Sequence, residues 1–123
     1  MKKMSKNPKR RSKIPPTYSI PPDVLNEVGS RMKENVEDTV RLFRVLSDPV
    51  RVRILRALDV GEMCVCVLVE ATNYPYSALS YHLKMLKTVG LIKSKRDGNF
   101  LNYSLTEKGK KVLKMLRQSK FEL

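Results

Sequence analysis

The chain has 123 residues, 41% of them hydrophobic, and a net charge of +13. That length supports one ordinary core, the apolar share argues against disorder, and no run of 18 apolar residues offers a membrane span. One histidine, no glycine-rich phosphate loop and no serine–histidine or paired-carboxylate arrangement leave no recognisable enzyme site.

The charge is unevenly spread. Lys2, Lys3, Lys6, Lys9, Arg10, Arg11 and Lys13 crowd the first 13 residues with no acid among them. The rest of the chain holds 18 basic and 12 acidic residues, so the body itself is +6. A basic body with a basic tail points to a polyanion partner. A membrane is not expected, because the tail lacks apolar residues that would insert. There is no apolar run behind the basic N-terminus to make a secretory signal. Two cysteines alone do not make a disulfide framework, which places the chain in a reducing cytoplasm, associated with the nucleoid.

Residues 1–22 read as a flexible, basic, proline-rich arm, and residues 23–123 as the folded domain. Residues 23–46 read as one helix. Leu25, Val28, Met32, Val36, Val40, Phe43 and Leu46 recur at steps of three or four, and Gly29-Ser30 is the place where it could kink. A stripe this long can extend past the core and pack against a second copy.

Asp48-Pro49 opens the next helix, with aspartate as N-cap and proline at the first helical position. Val50, Ile54 and Leu58 form its inner face, and Gly61 is the expected C-cap. A short helix over residues 62–72 follows, and Asn73 suits a left-handed turn. Ser77 is expected to cap a further helix with Leu79, Leu83 and Leu86 inside and Tyr81, Lys84 and Lys87 outside. Gly90 ends it. Residues 91–96 and 100–105 then read as strands around Asp97-Gly98-Asn99, with Leu101, Tyr103 and Leu105 on one face. Thr106 caps a last helix with Val112, Leu113 and Leu116 on its apolar side.

The expected fold is therefore mainly α with a small β-hairpin, in the order α-α-α-α-β-β-α: a winged helix-turn-helix. Such a unit presents its second helix to a DNA major groove. Ser77, Ala78, Ser80 and Tyr81 on the first turns are the candidate base readers. Lys84 and Lys87 stand where phosphates would be. Lys93, Lys95, Arg96 and Asn99 give a basic hairpin able to follow the backbone or enter the minor groove. His82, lacking neighbouring ligands, reads as structural or phosphate-contacting and not as a metal site.

At these residues the chain resembles the ArsR/SmtB (arsenic-repressor type) family of winged-helix regulators. FRVLSDPVRVRILRAL (residues 43–58), YSALSYHLKMLKTVGLI (76–92) and GEMCVC (61–66) carry the resemblance, which spans roughly residues 36–116. It implies a homodimer built from the first and last helices that represses an inverted-repeat operator on double-stranded DNA. It also implies release when an inducer binds, with no cofactor required. The family's arsenic motif continues Cys-Val-Cys-Asp-Leu, whereas here Val67 replaces the aspartate. The last helix has no histidine and only Glu107 and Glu122 as acids, so a zinc site there is not expected.

Cys64 and Cys66 are the candidate sensor for As(III), Sb(III) or another soft metal, because thiolates favour such centres. Two residues apart on a helix point about 200° apart. Chelation on a helix would therefore require its first turn to unwind, which would disturb the reading helix. The alternatives are two small buried apolar side chains or a redox pair. At the level of function, the alternatives to a sequence-specific repressor are a non-specific architectural DNA binder and a winged helix that contacts protein.

Overall fold

The computed structural model describes residues 11–118. Most of the basic arm, including Lys2, Lys3, Lys6, Lys9 and Arg10, and Glu122 at the other end lie outside the described residues. The chain divides into two compact units, residues 1–35 and 36–123.

The first unit carries α1 (Pro22–Arg31). Pro22 sits at the helix start, Asp23 lies in the first turn and Arg31 in the last, each at the end of the helix dipole that favours its charge. No residue of α1 is buried, and Val24, Leu25 and Val28 are all exposed.

The second unit holds α2 (Glu37–Leu46), α3 (Pro49–Leu58), β1 (Met63–Cys64), α4 (Val65–Thr72), α5 (Tyr76–Thr88), β2 (Ile92–Asp97), β3 (Phe100–Leu105) and α6 (Glu107–Gln118). The single helix expected over residues 23–46 is thus two. The break falls at 32–36, where Lys33 and Glu34 N–H groups donate back three residues, to Ser30 and Arg31, and tighten the last turn. Gly29 stays inside α1. Polar Lys33, Glu34 and Asn35 offer no apolar contact to sustain a longer helix, and Glu37 and Asp38 favour a new start. The inner face of α2 is also not the expected stripe: Val45 is its buried residue, with Leu42 and Leu46 packed beside it, while Val40 and Phe43 stay exposed.

Asp48 caps α3 as expected, its Oδ1 accepting the N–H groups of Val50 at 2.8 Å and Arg51 at 3.2 Å. Gly61 does not serve as the C-cap. Asp59 takes that position in a right-handed conformation, and Val60 and Gly61 donate to carbonyls three residues back. The chain tightens there and runs straight into β1, so no left-handed residue is needed. The short helix accordingly begins at Val65, three residues later than expected, because Met63 and Cys64 pair with Tyr103 and Asn102 of β3. A third strand thus joins the hairpin, in the order β1-β3-β2. Asn73 adopts the expected left-handed conformation (φ 63°) between α4 and α5.

The core gathers these elements around leucine. Leu55 from α3, Leu79, Leu83 and Leu86 from α5, and Leu91 and Ile92 at the entry to β2 are fully buried. Val112 and Leu113 of α6 close it from the far side. Among the described residues no polar side chain is buried. The junction of β2 and α6 is especially tight. Thr106 N–H donates to the Leu91 carbonyl at 3.0 Å, and Thr106 Oγ1 in turn accepts the Gly109 N–H at 3.0 Å, the expected cap. Gly109 then passes so close to Leu91 that a Cβ at this position would overlap the Leu91 carbonyl oxygen. Backbone on both sides leaves nothing flexible to yield. Gly109→Ala should therefore cost about 1–3 kcal/mol or more despite alanine's better helix propensity, read as a lower urea midpoint at unchanged slope.

Candidate nucleic-acid interface

The second unit presents α5 on the surface. Its apolar face of Leu79, Leu83 and Leu86 is sunk in the core, which forces the opposite face outward. Tyr81, Lys84 and Lys87 are exposed, as expected. Ser77 is exposed too, but it does not cap the helix: α5 begins at Tyr76, Pro75 is its N-cap residue, and the Pro75 carbonyl accepts the Leu79 N–H at 3.1 Å. Proline's fixed φ suits that position, so the helix starts two residues earlier. The Ser77 hydroxyl is left without a capping bond, on the first turn. Ala78 and Ser80 are half-buried, so of the four expected readers Ser77 and Tyr81 stand furthest out.

The basic residues of the hairpin divide between its two faces. In the β2–β3 register Ile92, Ser94 and Arg96 lie opposite Leu105, Tyr103 and Leu101. Lys93 and Lys95 lie opposite Ser104 and Asn102, on the other face. Arg96 therefore shares the face of Ile92, Leu101, Tyr103 and Leu105, whereas Lys93 and Lys95 occupy the opposite one. Asn99 is exposed beside Gly98, whose φ of 61° makes the tight turn. Lys87 Nζ donates to Ser94 Oγ at 2.6 Å, which ties the end of α5 to the hairpin. This bond uses one of three ammonium donors, so Lys87 both braces the hairpin and keeps its charge outward.

The cysteines lie where α4 begins. Cys64 is the N-cap residue of α4 and extended (φ −80°, ψ 160°), outside the helix, while Cys66 is on its first turn. Their Cα atoms are 5.3 Å apart, and the structure joins the side chains as a disulfide. Cys66 N–H also donates to Cys64 Sγ at 3.0 Å. This corrects one expectation: bringing both sulfurs to one point requires no unwinding of a helical turn, because only one cysteine belongs to the helix. Neither is fully buried: Cys64 is half-buried and Cys66 exposed.

A groove of about 310 Å³ opens beside them, lined by Cys64, Cys66, Tyr76, Arg96, Asn99 and Phe100, with Val65 and Leu101 beneath. Sequence reasoning missed Tyr76 and Phe100, and nothing local marks them; the groove exists only because β1 pairs with β3. It also missed Arg51, whose Nε donates to His82 Nδ1 at 3.0 Å across 31 residues. His82 is accordingly a structural partner of α3. Among the described residues no three histidine, cysteine or acidic side chains cluster as a metal site, and no helix is long and apolar enough to cross a membrane.

A helix held by its apolar face, a capped entry helix and a basic hairpin beside it define a winged helix-turn-helix DNA-binding protein. The sequence model described as "Bacterial regulatory protein, arsR family" matches residues 48–94. The chain is 31% identical over 85 residues to an uncharacterized HTH-type transcriptional regulator of Methanocaldococcus jannaschii, covering 68% of this chain and 96% of that one. It is 35% identical over 82 residues to a cadmium resistance transcriptional regulatory protein CadC homolog of Staphylococcus aureus, covering 66% and 68%. Among solved structures it is similar to a homodimeric winged helix-turn-helix DNA-binding domain from Mycobacterium bovis. That match has a TM-score of 0.61 and 28% identity, and covers 68% of this chain and 77% of that one. The chain belongs to the ArsR/SmtB family: it is a DNA-binding transcriptional regulator and not an enzyme.

The Asp48 cap lies under this surface, and its ionisation bears on it. Partial burial pushes the carboxyl pKa up, but the N–H groups of Arg51 and Val50, with attraction from His82 and Arg51, outweigh it and hold the pKa below its ordinary 3.8. A lowered carboxylate pKa adds stability that is present above the ordinary value and lost as pH falls through the folded one. Asp48→Ala should cost about 1 kcal/mol at neutral pH. The difference between wild type and variant should close below about pH 4, as followed by thermal melts across pH.

Proposed function

We propose that the chain is a homodimeric repressor that binds an inverted-repeat operator and is released when a thiophilic metalloid or soft metal engages Cys64 and Cys66. The observation that carries this reading is the groove that the cysteine pair shares with Tyr76 on the first turn of α5 and with Arg96, Asn99 and Phe100 of the hairpin. A change in the spacing of the two sulfurs acts at the N-cap of α4. From there it passes along the β1–β3 pairing to the hairpin, and through Tyr76 to the start of α5.

Two thiolates offer soft ligands to As(III), Sb(III) or Cd(II). With only two cysteines in the chain, further ligands come from outside it. To move a dimer from almost wholly bound to almost wholly free takes about 5 kcal/mol of differential binding. Two metal–thiolate bonds per protomer are of the right order.

Homodimer formation is supported by apolar side chains left exposed within each unit: Val24, Leu25 and Val28 on α1, and Val40 and Phe43 on α2. Met115 on α6 is also half exposed. The Mycobacterium bovis domain is itself homodimeric. Two-fold symmetry sets two α5 helices about one DNA turn apart, which is why the operator is read as an inverted repeat. Ser77, Ala78, Ser80 and Tyr81 serve as readers. Lys84, Lys87, Lys93, Lys95, Arg96 and Asn99 hold the backbone, and the protein acts in the cytoplasm, on the nucleoid.

The 5.3 Å separation of the Cys64 and Cys66 Cα atoms favours a second reading of the same site, in which two thiols are oxidised to a Cys64–Cys66 bond while a hydroperoxide is reduced to an alcohol and water. The groove is shared by both readings, and the chemical trigger separates them.

Fluorescence anisotropy on the duplex upstream of the protein's own gene tests the reading. Reduced wild type should bind and be released by As(III), whereas Cys64→Ser/Cys66→Ser should bind equally and stay bound. Release by a hydroperoxide and not by As(III) would favour the redox trigger, and indifference to both would make the cysteines structural. In the same assay Lys84→Ala should weaken binding to all duplexes alike and lower the salt slope by about one.

A further inference from the structure

We propose that Arg51 is a positioning residue for sequence readout: it fixes the orientation of Tyr81 and does not itself contact DNA. The proposal rests on the reading of Tyr81 as a base contact.

Arg51 is held at more points than a surface arginine needs. Its backbone N–H is taken by the Asp48 cap at 3.2 Å. Its Nε donates to His82 Nδ1 at 3.0 Å, and a terminal guanidinium nitrogen donates to the Val45 carbonyl at 3.3 Å. Val45 lies in the last turn of α2, where carbonyls lack partners within the helix and the dipole favours a cation. The guanidinium thus bridges the C-terminal end of α2 to the middle of α5.

Its remaining contact is with Tyr81. The guanidinium carbon lies 5.7 Å from the Tyr81 ring centre, within cation–π range. The His82 ring meets Tyr81 edge to face, with centroids 5.6 Å apart at 63°. Tyr81 is more than half exposed, so no core packing selects its rotamer. Arg51 and His82 are the neighbours that do. A contact that discriminates bases must be held within about 0.5 Å, and an unsupported tyrosine would not meet that limit.

Lysine cannot take over this task. The fork of Nε and terminal nitrogens reaches two acceptors while the flat face remains for the ring, whereas an ammonium is a point charge on a flexible stem. A phosphate-contacting arginine would behave differently: its loss would weaken all duplexes alike and lower the salt slope.

The test is selection from a randomised duplex pool with full-length wild type, Arg51→Lys, Tyr81→Ala and the double variant. Each selected motif is followed by anisotropy titrations against salt. Tyr81→Ala should lose about tenfold discrimination at one base pair per half-site. Arg51→Lys should lose most of the same discrimination at the same base pair, with an unchanged salt slope. In the double variant the second substitution should add nothing.

Three results with the Arg51 and Tyr81 variants would overturn the proposal. Arg51→Lys could keep the wild-type preference while Tyr81→Ala loses it, which leaves Tyr81 a reader without help from Arg51. Arg51→Lys could lower affinity uniformly with a shallower salt slope, which makes Arg51 a phosphate contact. Tyr81→Ala could keep the wild-type preference, which removes the underlying reading and the proposal with it. Should Arg51→Lys fail to fold, His82 gives the same answer. His82→Asn keeps an acceptor for Arg51 Nε and should retain the preference, and His82→Phe should lose it. Equal preferences in those two variants would also overturn the proposal.

Discussion

The burial of one face of α5 is the constraint on which the remaining geometry depends. Leu79, Leu83 and Leu86 are almost wholly withdrawn from water. Each contributes roughly 2 kcal/mol by area. Exposed ion pairs such as Arg41–Asp38 and Lys110–Glu107 contribute about 0–1 kcal/mol each, and a helix cap about 1. The leucines therefore decide how α5 is rotated, and the rotation decides what it shows to a partner. Ser77, Tyr81 and Lys84 face outward because the leucines face inward.

The hairpin and α6 are tied to the end of α5 by directed bonds in addition to the burial of Leu91, Ile92 and Leu105. Lys87 joins it through Ser94, and Lys108 Nζ donates at 2.7 Å to the Val89 carbonyl at the end of α5. Thr106 Oγ1 donates to the Gly90 carbonyl at 2.6 Å. The left-handed Gly90 lets the chain turn from α5 into β2 within three residues. The end of α5 and the hairpin thus form one connected surface, and the cysteine pair lies beside it where β1 passes into α4.

Much of this was legible in local sequence, for reasons that differ by element. The Asp48 cap, the left-handed Asn73, the Gly98 turn and the Thr106 cap each depend on a few neighbouring residues whose chemistry allows little else. The inner faces of α3, α5 and α6 were legible because a period of 3.6 leaves a repeating apolar signal. The apolar stripe over residues 25–46 misled for the same reason. Periodicity records that side chains share a face, and it does not record whether the helix is continuous or whether that face meets the core of its own chain. The start of α5 was misplaced because Ser77 is a stronger cap by type than Pro75, and the backbone used the residue whose φ was already fixed.

What the sequence determined by itself was therefore the helices from α3 onward and the hairpin, the Asp48 and Thr106 caps, the Asn73 and Gly98 turns, and a basic winged helix with two cysteines ahead of its second helix. Each of those follows from interactions spanning a few residues. Tertiary structure decided where the pieces meet. It drew Met63 and Cys64 into a strand beside Tyr103 and Asn102, placed Cys64 outside the helix that holds Cys66, split the hairpin's basic side chains between two faces, and set Arg51 against His82 and Tyr81. The pairing of β1 with β3 and the contacts of Arg51 join residues tens of positions apart, and pairing at that range is selected by the packing of the whole core, which no local pattern encodes.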